Sequence, residues 1–390
     1  MKQKILLFVF FLLLFTPLIL IAKNKITLLN NKQTEEIPNT DVETQIITKP
    51  VPLPYEKILL SRMTNEQKVG QIFIWGVEGT SNLTPENKKF IQTHKPGGVL
   101  LMQRNISDEN QLKLLIQDIQ STNSIPLFIS IDQEGGVVSR LKWNEILVYS
   151  QKSTKTPQNA FEISKQRGTV LKGYGINMNL APVIEYSDNS KSFIYKRTFS
   201  GNINEVIEKS IASLNGYRES GIIPVAKHYP GHGNSVIDPH YNLPIIDIVN
   251  DKWEEHSKVF NIVIRNTNLD ALMVGHILFP KIDSSPATIS NIIIQDRLKS
   301  LGNFTGLILS DDMEMNALEG LGGPTELAEA ALRAGCDILI YSKYSPDNRY
   351  HQLVVYEHIL NLVNQNLINI DEKVLKILQL KIKYGVINRE

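Results

Sequence analysis

The sequence predicts a single (β/α)8 barrel of the TIM type. Three observations point to it. Eight short β-branched or Leu-rich runs recur along the chain, each is followed by a stretch with helical periodicity, and no Gly-rich phosphate turn interrupts the series. The runs are Gln71–Trp75, Gly98–Met102, Leu127–Asp132, Asn177–Pro182, Ile222–Lys227, Ala271–His276, Gly306–Ser310 and Asp337–Tyr341. An open doubly wound sheet also fits alternating elements, but about 335 residues with eight such units favour closure into a barrel.

The helices are legible as apolar stripes. Leu112, Leu115, Ile116 and Ile119 recur at i, i+3, i+4 and i+7 behind Ser107, the expected N-cap. Val259, Ile262 and Val263 repeat the spacing, and a helix over Glu326–Ala334 is opened by Pro324 and closed by Gly335. A final helix carries Val374, Leu375, Ile377, Leu378 and Ile382, and no second domain is expected after Tyr384.

Of the 390 residues, 42% are hydrophobic and 21% charged, the balance of an ordinary globular protein. A formal charge of +1 and the lack of a basic stripe interleaved with aromatics argue against nucleic acid as a partner. Cys336 is the sole cysteine, which excludes an intrachain disulfide and a Cys-based zinc cluster. Stability must come from packing, and a monomer is expected.

The N-terminus stands apart. Lys2 and Lys4 precede an apolar run from Ile5 to Ala22, 18 residues long and ended by Lys23-Asn24-Lys25. That exceeds the usual secretory core of about 7–15 residues and reaches the roughly 17–25 that span a bilayer. Leu20-Ile21-Ala22 puts Leu where a cleavage site wants a small residue, so residues 1–25 read as an uncleaved membrane anchor in preference to a cleaved signal peptide. Residues 26–55 are polar and end in Lys49-Pro50-Val51-Pro52-Leu53-Pro54, the composition of a flexible tether. The expected organisation is therefore anchor 1–25, linker 26–55 and catalytic barrel 56–390, exported to the outer side of the cell membrane.

In such a barrel the reactive groups sit at the C-terminal ends of the strands. Here those ends carry Asp132-Gln133-Glu134-Gly135-Gly136, Glu185, Lys227-His228, His276 and Ser310-Asp311-Asp312, too many polar groups on one rim to be packing residues. The densest segment, Lys227 to His240, holds three histidines and Asp238 within 14 residues. Its spacings do not match a helical His-Glu-x-x-His pair and its Gly and Pro content says loop, so no metal site and no cofactor are expected. Asp238 and His240, two apart on an extended loop, suit acid/base work, since a carboxylate can fix one imidazole tautomer and raise its basicity. Adjacent carboxylates on a strand end normally face opposite ways, so one of Asp311 and Asp312 should point inward. Attack is assigned to Asp311 and capping of a following helical turn over 313–318 to Asp312. No Ser or Cys sits in a nucleophile-elbow context, which leaves an Asp as the covalent partner.

These residues resemble the glycoside hydrolase family 3 catalytic domain, in its bacterial β-N-acetylglucosaminidase branch. The motifs are Lys227-His228-Tyr229-Pro230-Gly231-His232-Gly233 with Asp238-Pro239-His240, Ser310-Asp311-Asp312-Met313, Asp132-Gln133-Glu134-Gly135-Gly136 with Arg140, Leu180-Ala181-Pro182-Val183, and Arg197-Thr198-Phe199, over about Leu59 to Tyr341. The resemblance implies that His240, assisted by Asp238, protonates the leaving oxygen and that Asp311 forms a covalent glycosyl-enzyme. It further implies that Asp132, Arg140, Arg197, Lys227 and His228 hold the sugar, although Arg140 also reads as a surface ion-pair residue. Terminal β-linked GlcNAc of peptidoglycan fragments is the implied substrate. Three positions depart from the pattern: Pro239 between Asp238 and His240, Tyr229 for Phe, and Glu185 where many relatives have Asp. A histidine acid/base also admits phosphate as acceptor, so a phosphorylase is one alternative. Another β-hexosidase of the family is a second, and a catalytically silent, membrane-tethered wall-binding protein is a third from a different class.

Overall fold

The computed structural model describes residues 53–80, 82–302, 304–343 and 349–389. The expected anchor and most of the expected tether lie outside the described residues. Among those described, no helix is long and apolar enough to cross a membrane.

The barrel is preceded by two helices, α1 (Tyr55–Arg62) and α2 (Asn65–Gln71), the second opened by a reciprocal capping box between Thr64 and Gln67. Then come β1 (Phe73–Gly76), α3 (Pro85–His94), β2 (Gly98–Leu101), α4 (Glu109–Thr122), β3 (Phe128–Ile131), α5 (Pro157–Gly173), β4 (Met178–Asn179) and α6 (Ile203–Ser220). The chain continues through β5 (Ile223–Pro224 and Ala226–Tyr229), α7 (Lys258–Asn266), β6 (Ala271–Val274), β7 (Leu307–Asp312), α8 (Pro324–Ala334), β8 (Ile338–Tyr341), α9 (Arg349–Asn364) and α10 (Asp371–Lys383). A π-helical stretch, Ile292–Leu298, makes the crossover from β6 to β7.

Every ladder between these strands is parallel. The ladder has nine segments, and its two ends are the halves of β5. Ile223 and Pro224 pair with β4, while Ala226 and Tyr229 pair with β6. The chain itself thus closes the sheet into an eight-stranded barrel, and all eight expected strands are present. The fourth is shorter than the expected Asn177–Pro182, because beyond Asn179 Pro182 has no N–H to give and the chain leaves the ladder after Leu180. It returns as a single bridge from Val183 to Lys227, which carries Glu185 to the rim.

Two local expectations are corrected. The N-cap of α4 is Asp108, whose carboxylate accepts from the backbone N–H groups of Asn110 and Gln111, while the Ser107 hydroxyl donates to Asp108. After Asp312 the chain makes turns and a short 3-10 stretch, Asn316–Leu318, in place of a helix over 313–318.

The lower end of the barrel is closed by the last helix. Lys381 of α10 is fully buried, its ammonium 2.7 Å from Gln71 Oε1 and 5.0 Å from the centre of the Phe128 ring. Gln71 in turn donates to the carbonyls of Lys95 and Pro96, so Lys381 and Gln71 together link the entries to the first three strands. Burial lowers the Lys381 ammonium from 10.5 to about 7. Between those two values the folded chain binds fewer protons here than the unfolded one, so stability from this group rises with pH across the window, and below it the whole penalty is present. Lys381→Met is expected to remove that dependence. In urea unfolding, its stability relative to wild type should be more favourable at pH 6.5 than at pH 9.5, and an equal difference at both would mean that Lys381 is charged in the fold.

Candidate active site

The C-terminal ends of the strands surround a cavity of about 450 Å³. It is lined by Asp132, Glu134, Arg140, Arg197, Lys227, His228, His240 and Asp311, among others, so the structure brings seven of the eight expected site residues to one wall. The eighth, Asp238, stands directly behind His240.

A chain of buried charges forms the floor. Lys227 Nζ lies 2.6 Å from Asp132 Oδ1 and 2.7 Å from Glu134 Oε1. Arg197 grips Glu134 with both ends of its fork, Nε to Oε2 at 3.0 Å and Nη2 to Oε1 at 2.7 Å, and Arg140 reaches Asp132 at 3.4 Å. Burial alone would push Asp132 and Glu134 up, but the neighbouring cations overturn this: Lys227 and Arg140 hold Asp132 well below its ordinary range, and Arg197 and Lys227 hold Glu134 down to about 2. Lys227 is itself raised, because Asp132 and Glu134 outweigh its desolvation. Asp132, Glu134, Lys227 and Arg197 stay ionised at any physiological pH.

Glu134 is placed by a hairpin, Gln133–Gly135 with Val138–Ser139, that follows β3. Arg167 of α5 fastens it by donating to the Glu134 carbonyl at 2.8 Å and to the Tyr149 carbonyl at 2.6 Å. Gly135 has φ +88°, and a Cβ there would stand 2.1 Å from the Tyr149 carbonyl oxygen. Glycine is required at this position.

Lys227 and His228 both line the cavity although they are consecutive on a strand. The register of β5 with β6 shifts between Ala226 and Tyr229, which breaks the alternation of faces. The same happens on β7, whose register with β8 shifts between Leu309 and Asp312. Asp311 and Asp312 therefore both line the cavity, against the expectation that only one would. Their environments separate them. Asp312 accepts from the Ser342 hydroxyl at 2.5 Å and from the backbone of Ser342 and Glu314, each at 3.2 Å. It is a brace between the ends of β7 and β8. Asp311 accepts only the N–H of Asp312 at 2.8 Å among the described groups. Burial would raise its carboxyl, but His228, His276 and Lys227 bring it below its ordinary value, whereas burial prevails at Asp312 and raises it.

The Asp238–His240 pair is formed. His240 Nδ1 lies 2.7 Å from Asp238 Oδ1, which also accepts the His240 N–H at 2.9 Å. The pair sits at the mouth, with the His240 side chain 62% exposed. Asn234 anchors the near end of its loop by accepting from Ser187 and donating to Asp188, and Ala317 N donates to the Pro239 carbonyl at 3.2 Å, which fastens the dyad loop to the loop after β7.

With this geometry in hand, comparison with known proteins is informative. Residues 64–380 match the glycosyl hydrolase family 3 N-terminal domain. A β-hexosaminidase of Photobacterium profundum is 33% identical over 262 residues, covering 66% of this chain and 78% of that protein. One from Idiomarina loihiensis is 32% identical over 274 residues, covering 68% and 81%. The solved structure of a family 3 β-N-acetylglucosaminidase from Paenibacillus superposes with a TM-score of 0.77 at 30% identity, covering 83% of this chain but 63% of that longer one. The chain belongs to glycosyl hydrolase family 3.

Three acidic residues of this family 3 site were not assigned from sequence. Glu134 lay inside a motif already singled out, and an acidic residue two positions after Asp132 on a turn was the available signal. Glu185 is the hub of a histidine cluster: it accepts from His228 Nδ1 at 2.8 Å, from the His232 N–H, and from His232 Nδ1 at 3.1 Å. Glu185, His228 and His232 bring ligand-type atoms within 4.8 Å of one another, a grouping that the spacing within residues 227–240 alone could not show. Their distances are those of imidazole N–H groups donating to a carboxylate. Glu314 carried no sequence signal. Its side chain is 3% exposed, it accepts from Lys343 N at 2.8 Å, and burial together with nearby Asp312 raises it to about 8.

Two outcomes follow. Glu134→Gln strips a buried carboxylate from Lys227 and Arg197 and should cost about 3 kcal/mol of stability in chemical denaturation. Arg140→Gln, which removes a longer and more exposed pair, should cost under about 1 kcal/mol, and equal costs would refute the ranking. Between its ordinary value and about 8, the folded Glu314 binds more protons than the unfolded one, so its contribution to stability falls as pH rises through that window. The melting temperature of Glu314→Gln relative to wild type should therefore climb from pH 5 to pH 8.

Proposed function

We propose that this family 3 chain is a retaining β-N-acetylhexosaminidase that releases terminal β-linked GlcNAc through a covalent glycosyl-Asp311 intermediate. One observation carries the proposal. A buried carboxylate kept ionised, Asp311, and a carboxylate-held imidazole, His240, line the same cavity, and the two groups a double displacement needs are thus present together. The relatives at 30–33% identity supply the N-acetylhexosaminide as substrate class.

Asp311 attacks the anomeric carbon with a lone pair as the glycosidic bond breaks. His240 engages Asp238 through Nδ1, so Nε2–H faces the leaving oxygen and gives it the proton. The neutral imidazole then takes a proton from the water that displaces Asp311, which restores both groups. Asp238 acts as the fixed negative charge that stabilises the imidazolium. Asp132, Arg140, Arg197, Lys227 and His228 are assigned to the sugar hydroxyls, where the ionised Asp132 can strengthen the hydrogen bonds it accepts as positive charge develops on the ring. Residues 5–22 and the polar segment after them support a place for this activity at the outer face of the membrane, with peptidoglycan fragments as the source of the GlcNAc.

The test is release of 4-nitrophenol from the β-GlcNAc and β-glucoside derivatives by wild type and Asp311→Ala. Wild type should strongly prefer the GlcNAc derivative, and Asp311→Ala should lose at least about a thousandfold in kcat. Full activity of Asp311→Ala would overturn the assignment. Because neutral His240 does not repel an anion, the same assay in phosphate buffer decides the acceptor: GlcNAc as product supports hydrolysis, and GlcNAc-1-phosphate a phosphorylase.

A further inference from the structure

One aromatic side chain beside the acid/base residue has no part in the mechanism above. Phe193 lines the cavity, and its ring stands 6.2 Å from that of His240 and 5.5 Å from that of His232, edge to face with both. Its N–H donates to the Ser235 carbonyl at 3.1 Å, which fastens it to the loop that carries Asp238 and His240. Arg197, which grips Glu134 on the floor, also lies over the ring, its guanidinium carbon 5.1 Å from the ring centre. The side chain is thus held by backbone, cation and two imidazoles, yet it stays partly exposed where it lines the cavity. Tyr241, the other aromatic residue next to His240, is 71% exposed and is not part of the cavity wall.

What the ring is for follows from the chemistry proposed for His240, on which this inference rests. The atom that His240 protonates is the glycosidic oxygen, and the leaving sugar is bonded to that oxygen. It must therefore start at His240 and extend along the wall beside it. The sugar attacked by Asp311 sits on the charged floor, and between that floor and Phe193 stands the Arg197 guanidinium, so the ring serves the leaving sugar. A β-linked pyranose gathers its axial C–H groups into apolar, weakly positive faces, which suit the negative face of an aromatic ring. Its hydroxyls need polar partners as well. Asn316 supplies one: it is exposed, it lines the cavity, and the bond from its neighbour Ala317 to the Pro239 carbonyl keeps it beside the dyad.

We propose that Phe193 is the platform of the leaving-group subsite, on which the sugar next to the scissile bond lays one face, and that it sets the preference for a saccharide over a small alcohol as leaving group. Taking roughly 60 Å² of apolar sugar and ring surface out of water there is worth about tenfold in kcat/KM. A methyl glycoside gains nothing from it, because its leaving group is too small to cover the ring.

The experiment compares kcat/KM for N,N′-diacetylchitobiose and for methyl β-N-acetylglucosaminide, using the full chain as wild type, Phe193→Ala, Phe193→Leu and Phe193→Tyr. Leu keeps an apolar side chain against His232 and Arg197 without a flat ring, and Tyr restores the ring. The ratio of the two substrates is the readout. Both leaving groups are poor and need the proton of His240, so damage to His240 or Arg197 lowers both rates and leaves the ratio in place. Wild type should favour chitobiose by at least about tenfold, and the ratio should fall about tenfold in Phe193→Ala, by a smaller factor in Phe193→Leu, and by no more than about twofold in Phe193→Tyr. Equal turnover of the two substrates by wild type, or a wild-type ratio in whichever of the Ala and Leu variants folds, overturns the platform. If wild type does not hydrolyse 4-nitrophenyl β-GlcNAc, it is the proposed activity that fails, and the subsite with it.

Discussion

The rest of the site depends on the ion pairs of Lys227 with Asp132 and Glu134. Three charged groups are held between the ends of β3 and β5, almost out of reach of water, and each would be prohibitively costly to bury alone. Arg197 and Arg140 complete the set, so that two carboxylates face three cations. Beside this set lies Asp311, which His228, His276, the Asp312 N–H and Lys227 bring below its ordinary value despite its burial. A buried carboxylate can stay ionised there because the groups that face it, His228 and His276 first, outweigh its desolvation.

Such a network needs more inward-facing residues than regular strands supply. A parallel strand turns alternate side chains to the barrel axis, which would put Lys227 or His228 outside, and Asp311 or Asp312 likewise. Both strands solve this with a register shift at the position of these residues. The shift costs ladder hydrogen bonds, and side chains replace some of them: Ser310 Oγ accepts the Ile340 N–H, and Asp312 accepts from the Ser342 N–H. The irregular backbone at the rim is therefore tied down by the same polar residues that it exposes.

How much of this could be read in the sequence follows from the range of each interaction. The eight strands were legible because burial from both sides writes an apolar run, and Pro324 and Gly335 marked the ends of α8 by local backbone chemistry. Asp311, Asp238 and His240 were legible because strand ends and short loops place them by sequence position. The place of Glu185 at a strand end was legible too, but its role was not, because that depends on a meeting with His228 and His232 across 43 and 47 positions. Glu314 was silent for the same reason, its partner Lys343 being 29 positions away. The register shifts were invisible too, since nothing in Lys227-His228 or Asp311-Asp312 tells an irregular strand from a regular one. Ser107 was mistaken for the cap of α4 because Asp108 beside it has the same local chemistry with a stronger acceptor.

In the mechanism we propose, the two halves of the reacting pair are built to opposite specifications, and the reason is where each proton or charge must go. Under that proposal Asp311 never needs to exchange with solvent during a turnover: it would gain and lose a carbon substituent, so burial would serve it by stripping away water that competes for its lone pair. Under the same proposal His240 would deliver a proton to an oxygen that then leaves, and accept one from a water that arrives by the same route. A rigid, buried imidazole would obstruct that traffic. Asp238 fixes the ring through Nδ1, and Ala317 ties the dyad loop to the loop after the strand that bears Asp311, so the exposed imidazole is held at the cavity mouth. Stiffness at Pro239 adds to this, because it narrows the backbone freedom of Asp238 and its own φ at the point where the pair must hold its direction.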